Sequence, residues 1–240
     1  MDVAGKSVLL TGGSSGIGRE IARQLKAKGA KVAVTGRDKE RLAAMRDEGF
    51  ETIEARLGNA HDVDGLVADL GTRDIDILIN NAGQGVDHDF RVGAPDPDAT
   101  DACIYANLHA PIRLITALMP RLKARPEAAI VNVTSGLAIA PNGRSPVYCA
   151  TKAGLRSYTQ SLREQLSGTG VHVMEALPPL VETNMTAGRE GKMMAPQDCA
   201  RQIVDAIERD RPEANVGQVK LLRRIYSISP ALARRIMLRF

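Results

Sequence analysis

Aromatic residues are scarce in this 240-residue chain: they make up 3% of it, and tryptophan is absent. Apolar residues nevertheless reach 44%, so the core must be aliphatic, as in parallel sheets that are buried on both faces. Cysteine is also rare. The three cysteines, Cys103, Cys149 and Cys199, are widely spaced and odd in number, which argues against a disulfide framework or a zinc cluster and favours a reducing compartment.

No large charge excess runs through the chain. The net charge of +4 comes mainly from arginines near the C-terminus, so nucleic acid is not an expected partner. The four histidines have no metal-ligand spacing, and we expect no metal site. The sequence shows no secretory signal region and no apolar run near the roughly 18 residues of a membrane-spanning helix. We therefore expect a soluble, cytoplasmic protein.

Short aliphatic runs alternate with amphipathic stretches, which predicts an α/β fold: a doubly wound parallel sheet with helices on both faces. The predicted strands are 7–11, 31–35, 51–57, 75–80, 129–134 and 171–177. The predicted helices are 17–28, 39–48, 62–70, 97–123, 148–166 and 196–210. Loops 84–96 and 183–195 follow predicted strand ends, at the edge of the sheet where ligands bind in such folds. We expect both loops to line the site.

A glycine-rich segment, Thr11-Gly-Gly-Ser-Ser-Gly-Ile-Gly18, leaves the first predicted strand and opens the first helix. Glycines there allow a tight turn and a close approach to a pyrophosphate, which the helix N-terminus attracts. A plain glycine-rich turn would be the default for a lone motif. Its place at the first strand–helix junction, near the N-terminus, favours dinucleotide binding.

The second predicted strand ends in Thr35-Gly36-Arg37 and carries no acidic residue that would hold a ribose 2′-hydroxyl. A guanidinium at Arg37 suits a 2′-phosphate instead, and Ser14 and Ser15 offer further donors. We therefore predict a preference for NADP(H) over NAD(H). The alternative, that Arg37 is simply a solvated loop residue without a role in cofactor binding, stays open.

Tyr148 and Lys152 stand four residues apart and would share one face of a helix. A free phenol has a pKa of about 10, and an adjacent ammonium favours the phenolate and lowers that pKa. We predict that Tyr148 is a general acid/base tuned by Lys152. A tyrosine–lysine pair alone is weak evidence, because such pairs are common on solvated helices.

These motifs, taken in order with Asn80-Asn-Ala-Gly83 and Ser135, resemble those of the short-chain dehydrogenase/reductase family over residues 5–210. The resemblance implies one Rossmann-type domain over residues 1–240, with about seven strands. It also implies hydride exchange between NAD(P)(H) and a small-molecule carbonyl or alcohol, and Arg37 makes NADP(H) the predicted cofactor.

The resemblance assigns catalytic roles to four residues. Tyr148 would be the proton donor and acceptor, Lys152 would bind the nicotinamide ribose, Ser135 would bind the substrate oxygen, and Asn107 would help hold a water. The implied cofactor-binding residues are Gly12, Ser14, Ser15, Gly16, Ile17, Gly18, Arg37, Leu57, Asn80, Ala82, Gly83, Tyr148, Lys152, Pro178, Val181 and Thr183.

Three departures from the family pattern stand out. Arg56 replaces an aspartate that usually contacts adenine, and Pro179 replaces a glycine, which fixes φ and removes an N–H. The usual C-terminal Asp-Gly-Gly is missing, and residues 217–240 form an amphipathic, arginine-rich extension that Pro230 should divide into two helices.

The extension leaves several interpretations open. In one interpretation the extension packs over the substrate pocket or against another subunit, because members of the family usually form dimers or tetramers. In the other it rests on an anionic membrane. Two other functions compete with the leading one. They are a membrane-surface reductase of a lipid-like carbonyl and a non-catalytic nucleotide-binding regulator on the same fold.

Overall fold

A computed structural model describes residues 1–189 and 191–239. It contains one parallel sheet of seven strands in the order β3-β2-β1-β4-β5-β6-β7. The strands are β1 (Ser7–Leu10), β2 (Lys31–Gly36), β3 (Glu51–Glu54), β4 (Ile77–Asn80), β5 (Ala128–Val133), β6 (Val171–Leu177) and β7 (Glu213–Asn215). The predicted doubly wound parallel α/β sheet is therefore confirmed.

Helices cover both faces of the sheet. They are α1 (Gly16–Ala27), α2 (Lys39–Asp47), α3 (Ala60–Asp69), α4 (Pro97–Ile104), α5 (Ala110–Lys123), α6 (Pro146–Gln165), α7 (Pro196–Glu208), α8 (Val219–Ile228) and α9 (Pro230–Met237). Successive strand residues face opposite ways. Leu10 therefore packs with the layer that contains α1, α2 and α7, whereas Leu9 packs with the layer that contains α3 and α5.

Several predicted boundaries were wrong. The third strand ends at Glu54, before Leu57, and β7 was missed because it has only three residues, two of them polar. The predicted helix 97–123 is interrupted by a π-helical turn, Tyr105–His109, that separates α4 from α5. Single π-turns of this kind occur frequently at functional sites, and this one carries Asn107.

The helical stretch 97–123 also corrects the expectation about apolar runs. By length and composition it is long and apolar enough to cross a membrane. Its apolar face, however, is used within the fold: Leu114, Ile115 and Leu118 are buried against the sheet.

The C-terminal extension forms two helices, α8 and α9, that meet at Ser229 and Pro230. Val219 and Leu222 of α8 pack with Ile139 and Leu177, beside the carboxyl ends of β5 and β6. The extension therefore adds to the wall at the edge of the sheet where the predicted site residues lie.

Candidate active site

The glycine-rich loop between β1 and α1 is closed against two other loops of the same edge. Gly12 has a φ of +65°, and a Cβ added there would lie 2.8 Å from the Ala82 Cα. Gly16 has a φ of +53°, and its Cβ would lie 3.0 Å from Thr183 Cγ2. The loop thus brings Ala82 and Thr183, two predicted cofactor contacts, next to the start of α1.

The start of α1 has the features of an anion site. Ser15 is the N-cap residue, and its side chain makes no capping hydrogen bond. The N–H groups of the first turn are therefore left for a ligand, at the positive end of the helix dipole. Ser14 lies beside Gly36 at the end of β2. This cradle of loop and helix N-terminus fits the pyrophosphate and adenosine ribose of a dinucleotide.

Asn81 holds the cradle together and is missing from the predicted site. Its Nδ2 donates to the Thr11 and Gly12 carbonyl oxygens at 3.0 and 3.1 Å. In return, Thr11 Oγ1 accepts from the backbone N–H groups of Asn81 and Ala82 at 3.1 Å each. The neighbouring Asn80 turns the other way: its Nδ2 donates to Asn132 Oδ1 at 2.9 Å. The Asn80 side chain is buried in the sheet layer, and the cofactor contact that the family resemblance implies for this residue stays a prediction.

Arginines line the far corner of the cradle. Arg37 is exposed directly after β2. Arg41, which the sequence analysis missed, pairs with Asp38 at 3.1 Å. It also reaches the Asn184 amide oxygen at 3.1 and 3.2 Å once that amide is oriented with its oxygen toward the arginine. Leu57 packs partly buried against the core, whereas Arg56 is exposed.

Helix α6 presents the predicted catalytic pair to the end of β5. Lys152 is 4% exposed, and its Nζ donates to the Val133 carbonyl at 2.9 Å and lies 5.7 Å from the centre of the Tyr148 ring. Ser135 follows β5, and its Oγ accepts from the Leu137 N–H at 3.1 Å. Ser135 after β5 and the Tyr148–Lys152 pair of α6 thus meet at one point of the sheet edge.

The pKa values of Tyr148 and Lys152 differ from those expected from the sequence. Burial raises the pKa of Tyr148 to about 12, and the Ser135 hydroxyl acts more weakly in the opposite direction. Burial also lowers the pKa of Lys152 to about 8. The predicted lowering of the phenol pKa by Lys152 is not found in the cofactor-free protein. The physical reason for this difference is that burial disfavours both the phenolate of Tyr148 and the ammonium of Lys152.

The loop after β6 closes the side of the cradle that faces Ser135. The Pro178 carbonyl accepts from the Gly136 N–H at 2.9 Å, so the loop is tied to the segment that follows Ser135. Val181 is buried and forms a bridge with Met194, and Thr183 caps a short helical turn. Pro179 packs toward Gly217, so the departure from glycine is accommodated by contact with the C-terminal extension.

Comparison with known proteins agrees with this geometry. A model of the short chain dehydrogenase family matches residues 6–193. The chain belongs to the short-chain dehydrogenase family. It is similar to an uncharacterized oxidoreductase, DltE, of Bacillus subtilis, with 34% identity covering 93% of this chain and 92% of that protein.

Solved structures of the family superpose over most of the chain. A short-chain dehydrogenase from Burkholderia cenocepacia in complex with NADP has a TM-score of 0.87 at 25% identity, covering 99% of each chain. One from Sphingobium yanoikuyae in complex with NADPH has a TM-score of 0.79 at 31% identity, covering 87% of each. This short-chain dehydrogenase thus belongs to a family of oxidoreductases, and these two solved relatives hold NADP and NADPH.

Asn107 of this dehydrogenase is fully buried in the π-turn. Its Oδ1 accepts from the Gln84 N–H, and its Nδ2 donates to the Gln84 carbonyl, both at 2.9 Å. Nδ2 also lies 3.2 Å from Thr151 Oγ1. Its amide therefore holds the chain that follows Gly83 against α6, next to Lys152. The water-holding role that the family resemblance implies stays a prediction.

The two predicted site-lining loops are joined above the dehydrogenase site by Asp87, which sequence reasoning did not select. Its carboxylate accepts from Arg189 Nη2 at 2.9 Å and from Arg144 Nε at 3.0 Å. It also accepts from the hydroxyl of Ser145, the N-cap residue of α6. The sequence signal for this junction was the presence of charged residues in both predicted loops. The pairing itself could not be read from the sequence, because Asp87 is about 60 to 100 residues away from its partners.

Gly18 should be the most sensitive glycine of the cradle. A Cβ there would overlap the Gly12 carbonyl oxygen and lie 2.5 Å from Asn81 Nδ2. We expect Gly18→Ala to lower the free energy of unfolding by about 1–3 kcal/mol and to weaken NADP(H) binding, measured by urea denaturation and fluorescence titration. Gly65→Ala is the control, since nothing lies within 4 Å of its added Cβ. A Gly18→Ala protein as stable as Gly65→Ala would contradict the model of the cradle.

Burial of Lys152 should make stability depend on pH. The pKa falls from 10.5 in the unfolded chain to about 8 in the folded protein. Between these values the unfolded chain binds a proton that the folded protein has lost, so stability rises with pH. Relative to Lys152→Met, the cofactor-free parent should gain up to about 1.4 kcal/mol per pH unit between pH 8 and 10. Urea denaturation at each pH measures this gain, and a constant difference would mean that the lysine pKa is not lowered.

Proposed function

We propose that this protein is an NADP(H)-dependent dehydrogenase that interconverts a small-molecule ketone or aldehyde and the corresponding alcohol. One observation carries the proposal: α6 presents Tyr148 and the buried Lys152 beside Ser135, next to a glycine cradle that fits a dinucleotide. A bound nicotinamide cofactor would supply or accept the hydride. The residues of this chain then need to orient the substrate and move one proton.

The Ser135 and Tyr148 hydroxyls are the groups that would bind the substrate oxygen. Hydrogen bonds to that oxygen stabilise the negative charge that develops on it during reduction. Because the pKa of Tyr148 is about 12, the proton stays on the phenol near neutral pH and is ready to be donated. In the direction of carbonyl reduction, Tyr148 acts as the general acid.

The proposed preference for NADP(H) rests on Arg37. Arg37 is exposed and directly follows Gly36, which lies beside Ser14 at the end of β2 and carries no acidic side chain. An arginine suits a 2′-phosphate because its planar fork can make two charge-assisted hydrogen bonds.

Replacement of Tyr148 tests the chemistry. Tyr148→Phe removes only the proton donor, so we expect severe loss of turnover with nearly unchanged NADPH affinity. Activity is measured as NADPH oxidation against ketones, quinones and acyl-chain carbonyls. Tyr158→Phe is the matched control, because Tyr158 lies on the same helix and packs against the core. Near-full activity of Tyr148→Phe on a substrate that the parent reduces would refute the mechanism.

Replacement of Arg37 tests the cofactor preference. A hydrogen bond to a charged group contributes roughly 1.5–3 kcal/mol, so Arg37→Ala should weaken NADPH binding by about one to two orders of magnitude. NADH binding should barely change. Arg46→Ala is the control, since Arg46 lies at the far end of α2 and donates to Thr52. Equal losses for NADPH and NADH would make Arg37 a structural residue.

A second candidate is reduction of a lipid-like carbonyl at a membrane surface. The C-terminal extension exposes Leu221, Ile228 and Leu232 among its arginines, a composition that suits anionic membranes. The same exposed side chains suit the interface of a homodimer or homotetramer, which we consider the better proposal for a cytoplasmic enzyme. A purely regulatory nucleotide-binding protein is disfavoured because Ser135, Tyr148 and Lys152 are all present.

A further inference from the structure

A row of four polar side chains crosses the sheet beneath α6. Asn80, Asn132, Glu175 and Glu213 are in register on β4, β5, β6 and β7, and we call them the polar belt. The first three are at most 2% exposed. Parallel strands buried on both faces are normally apolar, and a buried carboxylate is costly unless it is paired. The polar belt therefore needs an explanation beyond sheet formation.

Both carboxylate oxygens of Glu175 are bound, and each to a different element. Oε1 accepts from Thr134 Oγ1 at 2.6 Å, and Oε2 accepts from Arg156 Nη1 at 2.5 Å. Thr134 directly precedes Ser135, whereas Arg156 lies on α6, one turn after Lys152. Glu175 thus connects the segment that carries the Ser135 hydroxyl with the helix that carries Tyr148.

The face of α6 that bears the reactive groups is also the face that binds the polar belt. Tyr148, Lys152, Arg156 and Thr159 follow at intervals of four, four and three residues, which places them in one line along the helix. Lys152 donates to β5, Arg156 to Glu175, and Thr159 Oγ1 accepts from Asn132 Nδ2 at 2.9 Å. Directional polar contacts therefore set the height of the helix above the sheet.

Arg156 also links Glu175 to β7 and, through Glu213, to α8. Its Nη2 donates to Glu213 Oε1 at 3.1 Å, and Glu213 faces Arg223 of α8 at 3.9 Å. The same α8 packs on Gly136, next to Ser135, through Val219. Among the described residues, the hydrogen bonds and ion pairs of the Glu175 and Arg156 side chains go to Thr134, Glu213 and each other, not to the glycine cradle. The effect of this pair on cofactor binding should therefore be small.

We propose that Glu175 and Arg156 are positioning residues, which set the separation of the Ser135 and Tyr148 hydroxyls by holding β5 and α6 in register. This inference rests on the proposed function of Ser135 and Tyr148. Misplacement of reacting groups by about 1 Å can cost about 100-fold in rate. The pair should therefore influence turnover without touching substrate or cofactor.

The test uses the double variant Glu175→Leu/Arg156→Met. Replacing both members of a buried ion pair by apolar residues often preserves stability, whereas removing one member does not. Without Glu175, the Thr134 hydroxyl can donate to the Ala176 carbonyl oxygen, which lies 3.2 Å from Thr134 Oγ1. We expect Tm and NADPH Kd close to those of the parent, with kcat lowered roughly 10- to 100-fold. Hydrogen exchange in residues 146–152 should become faster at unchanged Tm.

Arg163→Met is the matched control. Arg163 lies on the same helix and donates to the Val173 and Pro212 carbonyls at 2.8 and 2.7 Å, but it sits farther from Tyr148. We expect this variant to keep the kcat of the parent. A double variant with parental kcat would overturn the positioning role, as would an equal loss of kcat in Arg163→Met.

Two further outcomes remain informative. If the double variant folds poorly, Glu175→Gln is measured in the same way, and parental kcat in that variant overturns the proposal. If the parent reduces no carbonyl, the proposed function fails, and exchange in residues 146–152 decides the positioning role by itself. Unchanged exchange in the double variant would then overturn it.

Discussion

All seven strands of the sheet are parallel, and this arrangement determines at which edge of the sheet the site-forming loops lie. Every loop that leaves a strand emerges at one edge, so residues far apart in sequence meet there. Gly12 and Gly16 follow β1, yet a Cβ added at Gly12 would lie 2.8 Å from Ala82 after β4, and one added at Gly16 would lie 3.0 Å from Thr183 after β6. An antiparallel arrangement of the same strands would send half of these loops to the opposite edge.

Electrostatics at that edge reflect burial more than pairing. Lys152 is held by a backbone carbonyl, and Cys103 is the only titratable neighbour within the described residues that acts on its pKa. Tyr148 is likewise shifted mainly by loss of water. Burial therefore shifts the proton equilibria of both groups toward their neutral forms relative to water. The expected lowering of the phenol pKa by the Lys152 ammonium is not found, because loss of water is the largest effect on that pKa.

The ion pair of the polar belt is buried, whereas the ion pairs of Asp87 at the loop junction are partly exposed. Glu175 is buried between a strand and a helix, where an ion pair with short hydrogen bonds allows little movement. Asp87 is partly exposed and joins loops by contacts to Arg144 and Arg189. Solvent weakens exposed ion pairs, so the junction above the site should open more readily than the contacts beneath α6.

Periodicity and local motifs in the sequence determined much of this protein. Aliphatic runs predicted six of the seven strands, since a strand buried on both faces leaves an uninterrupted apolar signal. The glycine-rich segment, Ser135 and the Tyr148–Lys152 spacing identified the family, because each motif is compact in sequence. The break at Pro230 was also correct, since proline acts locally.

Only the tertiary structure decided the rest. The π-turn at Asn107, the role of Asn81, the direction of the Asn80 side chain and the pairing of Glu175 with Arg156 all depend on partners brought close by folding. The proton affinities of Tyr148 and Lys152 likewise depend on how much water the fold removes. A sequence motif names the reacting groups, but burial and long-range contacts set their charge and position, because both are properties of the packed chain.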